Sequence, residues 1–245
     1  MKRSLRAEAL KLVTTRGTYG LLLGTVFVVV LTVFSSIGNA VKINQVEALN
    51  DHVFFLLSSI NVGLFSLILG MRAVTDEYRS ATITHSFLSD PGRSRTVLAK
   101  ATAAAAAASL VAVVSLAALV AVAFPLAAAK GASLTVADSD TSAFVGFVLA
   151  NALWAVIGVG FGALIRQQLA AVVGGLVWVL VIENLGAGFL GDASAYLPGQ
   201  AAYASARALE NANGLDPATA GVVLLVYAVA AMFIGVAATR LRDVA

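Results

Sequence analysis

Six apolar stretches, each about as long as a bilayer is thick, alternate with short polar breaks along the 245 residues. A hydrocarbon core of about 30 Å takes about 20 apolar residues in helical form. The stretches run over 17–38, 53–71, 101–129, 142–165, 169–190 and 218–239. Backbone amides inside lipid have no water to bond, so each stretch must satisfy them internally as a helix. The pattern predicts an all-α membrane protein: one domain over 1–245, six transmembrane helices and both termini on one side. Only Arg166, Gln167 and Gln168 separate the fourth stretch from the fifth, which predicts a tight hairpin. The third is longer than one crossing needs, holds an unbroken alanine run from Ala103 to Ala108, and carries Pro125, where a bend is expected. Ahead of the first stretch, residues 1–16 place Leu5, Ala9, Leu12 and Val13 on one helical face and Arg3, Arg6 and Lys11 largely off it. That is the pattern of an amphipathic helix lying in the interface, with a plain basic tail as the alternative. A basic start before an apolar run also resembles a signal peptide, but without a small-residue cleavage site and with so long a run an uncleaved anchor is expected. The segment 191–217 has turn signals at Pro198-Gly199, Asn213-Gly214 and Asp216-Pro217 and room for a short helix over 200–211. It reads as an outer cap or a partly re-entrant segment.

Composition adds little to this picture: 60% of residues are hydrophobic and 12% charged, where a soluble domain carries about 25% charged residues. The placement of the charges adds more. Thirteen of the 16 basic residues fall in alternate breaks: Lys2, Arg3, Arg6, Lys11 and Arg16; Arg72, Arg79, Arg93, Arg95 and Lys100; Arg166; Arg240 and Arg242. Lys42, Lys130 and Arg207 fall in the other set. Positive residues near span ends are retained in the cytoplasm, so the termini and a long 72–100 loop are expected inside. A pI of about 9.4 built from span-flanking residues reads as orientation and headgroup contact, not nucleic-acid binding. Arginine exceeds lysine, and alanine and valine abound, which is the composition of a GC-rich bacterial genome; a multi-pass protein of the bacterial plasma (inner) membrane is expected.

Candidate chemistry is sparse. There is no cysteine, so thiolate catalysis and cysteine metal sites are excluded. His52 and His85 fall on opposite sides of the expected topology and cannot share a metal ion within one protomer. No phosphate-binding loop is present, because none of the five lysines follows a glycine. Glu183-Asn184 is the one polar cluster inside a span. An ionisable group at that depth is costly without water or a partner, so Glu183 either lines a path or gate with Asn184 or pairs with a neighbouring helix. Asn61 and Asn151 pose the same question, with a helix–helix hydrogen bond as the plainer answer. Gly20 with Gly24, and Gly158 with Gly162, have the small-xxx-small spacing of close helix packing, which Gly160 and Gly174-Gly175 extend. Trp154, Trp178, Tyr19 and Tyr196 are candidate interface anchors, and Trp178, at mid-span, is also a candidate path residue.

The segment 72–100 holds the most information. It opens on Asp76, Glu77, Tyr78 and Arg79; Ile83 and Phe87 share a helical face; Asp90-Pro91 breaks the helix and starts another that runs into the third span. About 29 residues mixing apolar and charged side chains read as a docking surface, against the alternative of a loop that merely anchors the bundle. The run Glu77-Tyr78-Arg79-Ser80-Ala81-Thr82-Ile83, then Asp90-Pro91, Ser94-Arg95 and Leu98-Ala99-Lys100, resembles the cytoplasmic loop of type-2 ABC exporter permeases. Ala81 stands where that family usually has glycine, a departure expected to matter little because alanine favours helix. The N-terminal helix, the six spans and Tyr196-Leu197-Pro198-Gly199 resemble the family in layout.

The resemblance implies a transmembrane subunit that pairs with a second protomer, as a homodimer or heterodimer, and docks on two copies of a separate ABC ATPase subunit. ATP and Mg would belong to that partner, with no cofactor or metal in this chain and no enzyme activity of its own. Glu77, Tyr78, Arg79, Thr82, Ile83, Phe87 and Leu88 would then couple to the ATPase; Asn61, Trp178, Glu183 and Asn184 are candidates for the substrate path. Few charges inside the spans favour an apolar or amphiphilic cargo such as an antibiotic, drug or lipid-like molecule. A non-transporting membrane scaffold or sensor of the same fold, and an integral membrane enzyme, are the rival readings.

Overall fold

A computed structural model describes residues 2–42, 62–82, 93–131, 134, 138–206 and 215–241. Among these, all regular structure is helical. An N-terminal helix α1 (Lys2–Thr14) turns at Thr15 into α2 (Arg16–Lys42), and α3 (Val62–Arg79), α4 (Arg93–Ala129) and α5 (Asp138–Ile165) follow. The fifth stretch is composite: α6 (Gln168–Val177), a π-helical turn (Trp178–Ile182), α7 (Glu183–Leu190) and a 3-10 turn (Gly191–Tyr196). A short α8 (Pro198–Ser205) and α9 (Pro217–Leu241) complete the chain. Five helical segments are long and apolar enough to cross a membrane: Arg16–Gly38, Ser94–Ala129, Ser142–Ile165, Gln168–Tyr196 and Pro217–Leu241. The chain is therefore an all-helical, multi-pass membrane protein. The second expected span, 53–71, is described from Val62 onward, and its helix continues through Arg72, Asp76, Glu77 and Arg79.

Helix α5 is the centre of the bundle, packed on α3, α4 and α9. Small residues make these approaches possible. A Cβ on Gly70 would meet the Ala155 carbonyl, and one on Gly158 the Leu67 carbonyl, while Gly162 lies against the Met71 backbone and Gly160 against Ala231. With lipid outside there is no hydrophobic drive between helices, so backbone proximity and van der Waals contact hold them. Among the described residues, a Cβ on Gly20 would meet nothing within 4 Å and one on Gly24 only a Phe65 ring atom, so the first glycine pair makes no close backbone contact there. Trp154 is buried against Gly63 and is a core residue, not an interface anchor. Asn151 accepts a hydrogen bond from Ser66 Oγ at 2.7 Å, the helix–helix bond expected of a mid-span asparagine. Outward faces remain apolar, with Leu23 and Phe27 on α2 and Val226 and Phe233 on α9 exposed, as a lipid solvent allows.

The helix expected over 200–211 is realised as Pro198–Ser205, with 207–214 outside the described residues. Helix α4 is continuous through Pro125. Within 72–100, α3 carries helix to Arg79, and the helix expected after Asp90-Pro91 is α4, which runs from Arg93 into the third span; 83–92 lie outside the described residues.

Candidate functional site

The middle of α1, the end of α3 and the start of α4 meet around four charges. Lys100 Nζ lies 2.8 Å from Glu8 Oε2 and 2.5 Å from Glu77 Oε1. Lys11 Nζ lies 3.0 Å from Glu8 Oε1 and 2.7 Å from Glu77 Oε1. Two ammonium groups thus alternate with two carboxylates and the charges cancel. The Lys100 side chain is 1% exposed; burial of an ion is tolerable only when it is paired and hydrogen-bonded. Helix α1 presents Glu8 with the half-buried Leu5 and Leu12 to the bundle, while Leu10 and Val13 stay exposed. The inward face of α1 therefore carries an acid at its centre, and Ala9 and Val13 lie off it.

Titration follows from these neighbours. Burial alone would raise the Glu77 carboxyl, but the Lys100 and Lys11 ammonium groups outweigh it and hold it below its ordinary value. Burial alone would lower Lys11, but its bonds to Glu77 and Glu8 outweigh that and raise it. Both shifts favour the charged forms.

Beyond Glu77, α3 ends in a defined cap. Thr82 N–H donates to the Glu77 carbonyl at 3.0 Å and Ala81 N–H to that of Tyr78 at 3.3 Å, with Ala81 at φ 54°. This is the Schellman ending, whose left-handed residue is usually glycine. Ala81 was expected to prolong a helix; it instead terminates one in a conformation that disfavours a Cβ. Arg72 and Asp76 form an i,i+4 pair at 3.0 Å one turn earlier.

Tyr78, Arg79 and the α5–α6 hairpin enclose a second feature. Arg166, at φ 63°, donates from Nη2 to the Ala238 carbonyl at 2.9 Å and stands 5.3 Å from the Tyr78 ring centroid. Arg79 Nη1 donates to Gln168 Oε1 at 3.1 Å. Arg240 reaches Ser94 Oγ at 3.2 Å, so the ends of α1, α3, α4, α5 and α9 gather their basic residues at one end of the bundle.

Toward the opposite end, Glu183 is 4% exposed and fully engaged. It accepts from Trp178 Nε1 at 3.1 Å and from Gly199 N–H, the second residue of α8, at 2.7 Å. Its carboxylate thus caps α8, where donors point outward and negative charge is favoured. Glu183 is thereby hydrogen-bonded to the neighbouring helix α8. Asn184 is exposed and bonds back to the Leu180 carbonyl at 3.0 Å. Trp178 begins the π-helical turn and lines an apolar cavity of about 300 Å³ with Leu67, Met71, Phe161, Pro198 and Tyr227.

Of the expected coupling residues, Glu77 is buried in the ion cluster, Tyr78 is half-buried under Arg166, and Arg79 and Thr82 are exposed. Ile83, Phe87 and Leu88, like Asn61, lie outside the described residues. Glu8 and Lys100 are the residues that sequence reasoning missed as a site. The available signal was that Glu8 is the only acid among the first 42 residues. No family model and no curated protein matches this chain.

Proposed function

We propose that this chain is the transmembrane subunit of an ATP-driven ABC exporter, crossing the bacterial plasma membrane six times with its basic end in the cytoplasm. The observation that carries the reading is the neutral ion cluster joining α1, α3 and α4. It ties the two helices that flank residues 80–92 to each other and to the N-terminal helix, so a push on that segment moves three helices together. The sequence of the segment resembles the ATPase-docking loop of type-2 exporters, and the chain has no phosphate loop of its own; two copies of a separate ATPase would supply ATP hydrolysis. A second protomer, identical or related, would complete the pathway. The cargo is an apolar or amphiphilic molecule, in keeping with spans poor in charge.

On this reading Ile83 and Phe87 enter an apolar cleft on the ATPase, with Arg79 and Thr82 at its rim. Glu77 acts from behind, by fixing the end of α3 that precedes them in the chain. Co-purification of an ABC ATPase subunit with this chain, followed by reconstitution of the two, tests the proposal. Phe87→Asp should abolish permease-stimulated ATP hydrolysis while leaving the chain in the membrane. Coupled transport that survives this change sinks the docking assignment, and the absence of any associated ATPase would favour the scaffold reading.

A further inference from the structure

We infer that the recess between the end of α3 and the α5–α6 hairpin binds the phosphate headgroup of an anionic phospholipid. The recess is about 720 Å³ and its described lining carries two positive charges, Arg79 and Arg166, with no acidic side chain. Its position is the boundary where the polar end of the bundle gives way to the span Gln168–Tyr196. Basic pockets between helices at such a boundary suit phospholipid headgroups.

The two arginines have different parts. Arg166 is held by the Ala238 carbonyl and the face of Tyr78, so its charge is fixed at the wall without a search through rotamers. Arg79 is exposed at the mouth and bonded to Gln168, where it meets an arriving headgroup. The rest of the wall decides which phosphate fits. Leu169 and Val172 stand three residues apart on α6, hence on one helical face, and Leu169 is 72% exposed. They form the apolar part of the lining, with Leu169 exposed and Val172 half-buried. A free phosphate gains nothing from an apolar wall below its charge; a phospholipid lays an acyl chain along it. The inference depends only on the chain lying in a membrane, not on transport.

The test uses the full chain in nanodiscs of mixed phosphatidylglycerol and phosphatidylcholine, with retained lipid read by native mass spectrometry. Wild type should retain phosphatidylglycerol preferentially. Each arginine should account for about a fivefold preference, so Arg79→Gln should lower it about fivefold and Arg79→Gln with Arg166→Gln about 25-fold. Because Arg166→Gln also removes the bond to Ala238, Leu169→Glu supplies an independent arm. It puts a carboxylate on an exposed part of the wall and should also lower the preference about fivefold. Equal retention of the two lipids by wild type, or an unchanged preference in both Arg79→Gln and Leu169→Glu, overturns the inference. Displacement of phosphatidylglycerol by millimolar inorganic phosphate would identify a free-anion site and overturn the lipid assignment.

Discussion

Lys100 stands where one ammonium reaches two carboxylates from different helices. Lys100→Met would leave Glu8 and Glu77 facing each other with only Lys11 between them, and Lys11 is half exposed. Breaking a buried pair by removing one partner costs about 3–5 kcal/mol, whereas an exposed partner contributes about 0–1 kcal/mol. Thermal unfolding in detergent should therefore show a large loss for Lys100→Met and a small one for Lys11→Met; equal losses would mean that burial does not set the strength of the cluster. The cluster also fixes a pH response. Glu77, held below its ordinary 4.5, stabilises the fold fully above that value and loses the contribution as pH falls through its folded value. Lys11, held above its ordinary 10.5, contributes fully below that value and loses it as pH rises through its folded value. Amide exchange in α1 should accordingly be uniform, after correction for intrinsic rates, between about pH 5 and 10 and quicken on either side. A midpoint for α1 release near neutral pH would contradict the assignment. Glu77 was legible as a functional candidate from its motif, but its direction was not. The motif holds both Glu77 and Lys100 but does not pair them, and Glu8 lies 69 residues before Glu77, outside the motif.

Helices make their contacts through small residues, and spacing alone does not say which small residues have a partner. Gly20-Gly24 and Gly158-Gly162 carry the same signal, yet the second pair lies against the α3 backbone and the first makes no close backbone contact. Gly158→Leu would drive a side chain into the Leu67 carbonyl and the Met71 amide, where only helix separation relieves the clash. Overpacking of this kind costs about 1–3 kcal/mol, and the melting temperature should fall. Gly20→Leu points into open space and should change stability by less than about 0.5 kcal/mol. A matching loss at Gly20 would place an unseen partner on α2. Element type was readable because lipid leaves helix as the one open choice for these stretches. The ends were less readable. Charges at Arg72, Asp76, Glu77 and Arg79 look like a loop on hydropathy, but helix continues through them because its backbone bonds do not depend on side-chain polarity. Ala81 then ends it, stabilised by the 6→1 and 5→2 bonds that a helix propensity scale leaves out.

For the whole molecule, the arrangement of helices sets a parity that labelling can read. Ser80 lies at the end of α3 and Asp192 at the far end of the composite fifth stretch, both exposed. Between them lie Ser94–Ala129, Ser142–Ile165 and most of Gln168–Tyr196, three segments long and apolar enough to cross a membrane. An odd number puts the two residues on opposite sides. The chain has no cysteine, so each single substitution carries the only thiol. A membrane-impermeant maleimide added to intact cells should label Asp192→Cys and spare Ser80→Cys, and inside-out vesicles should reverse the pattern. Labelling of both from one side would mean that one of the three segments fails to cross. A full reversal would keep the fold and overturn the function, because residues 80–92 would face away from the cytoplasm where ATP is held. The basic residues collected at one end argue against that reversal. Lys11 and Lys100, which join α1, α3 and α4, are among the residues that resist translocation, so on the proposed reading orientation and docking would fail together.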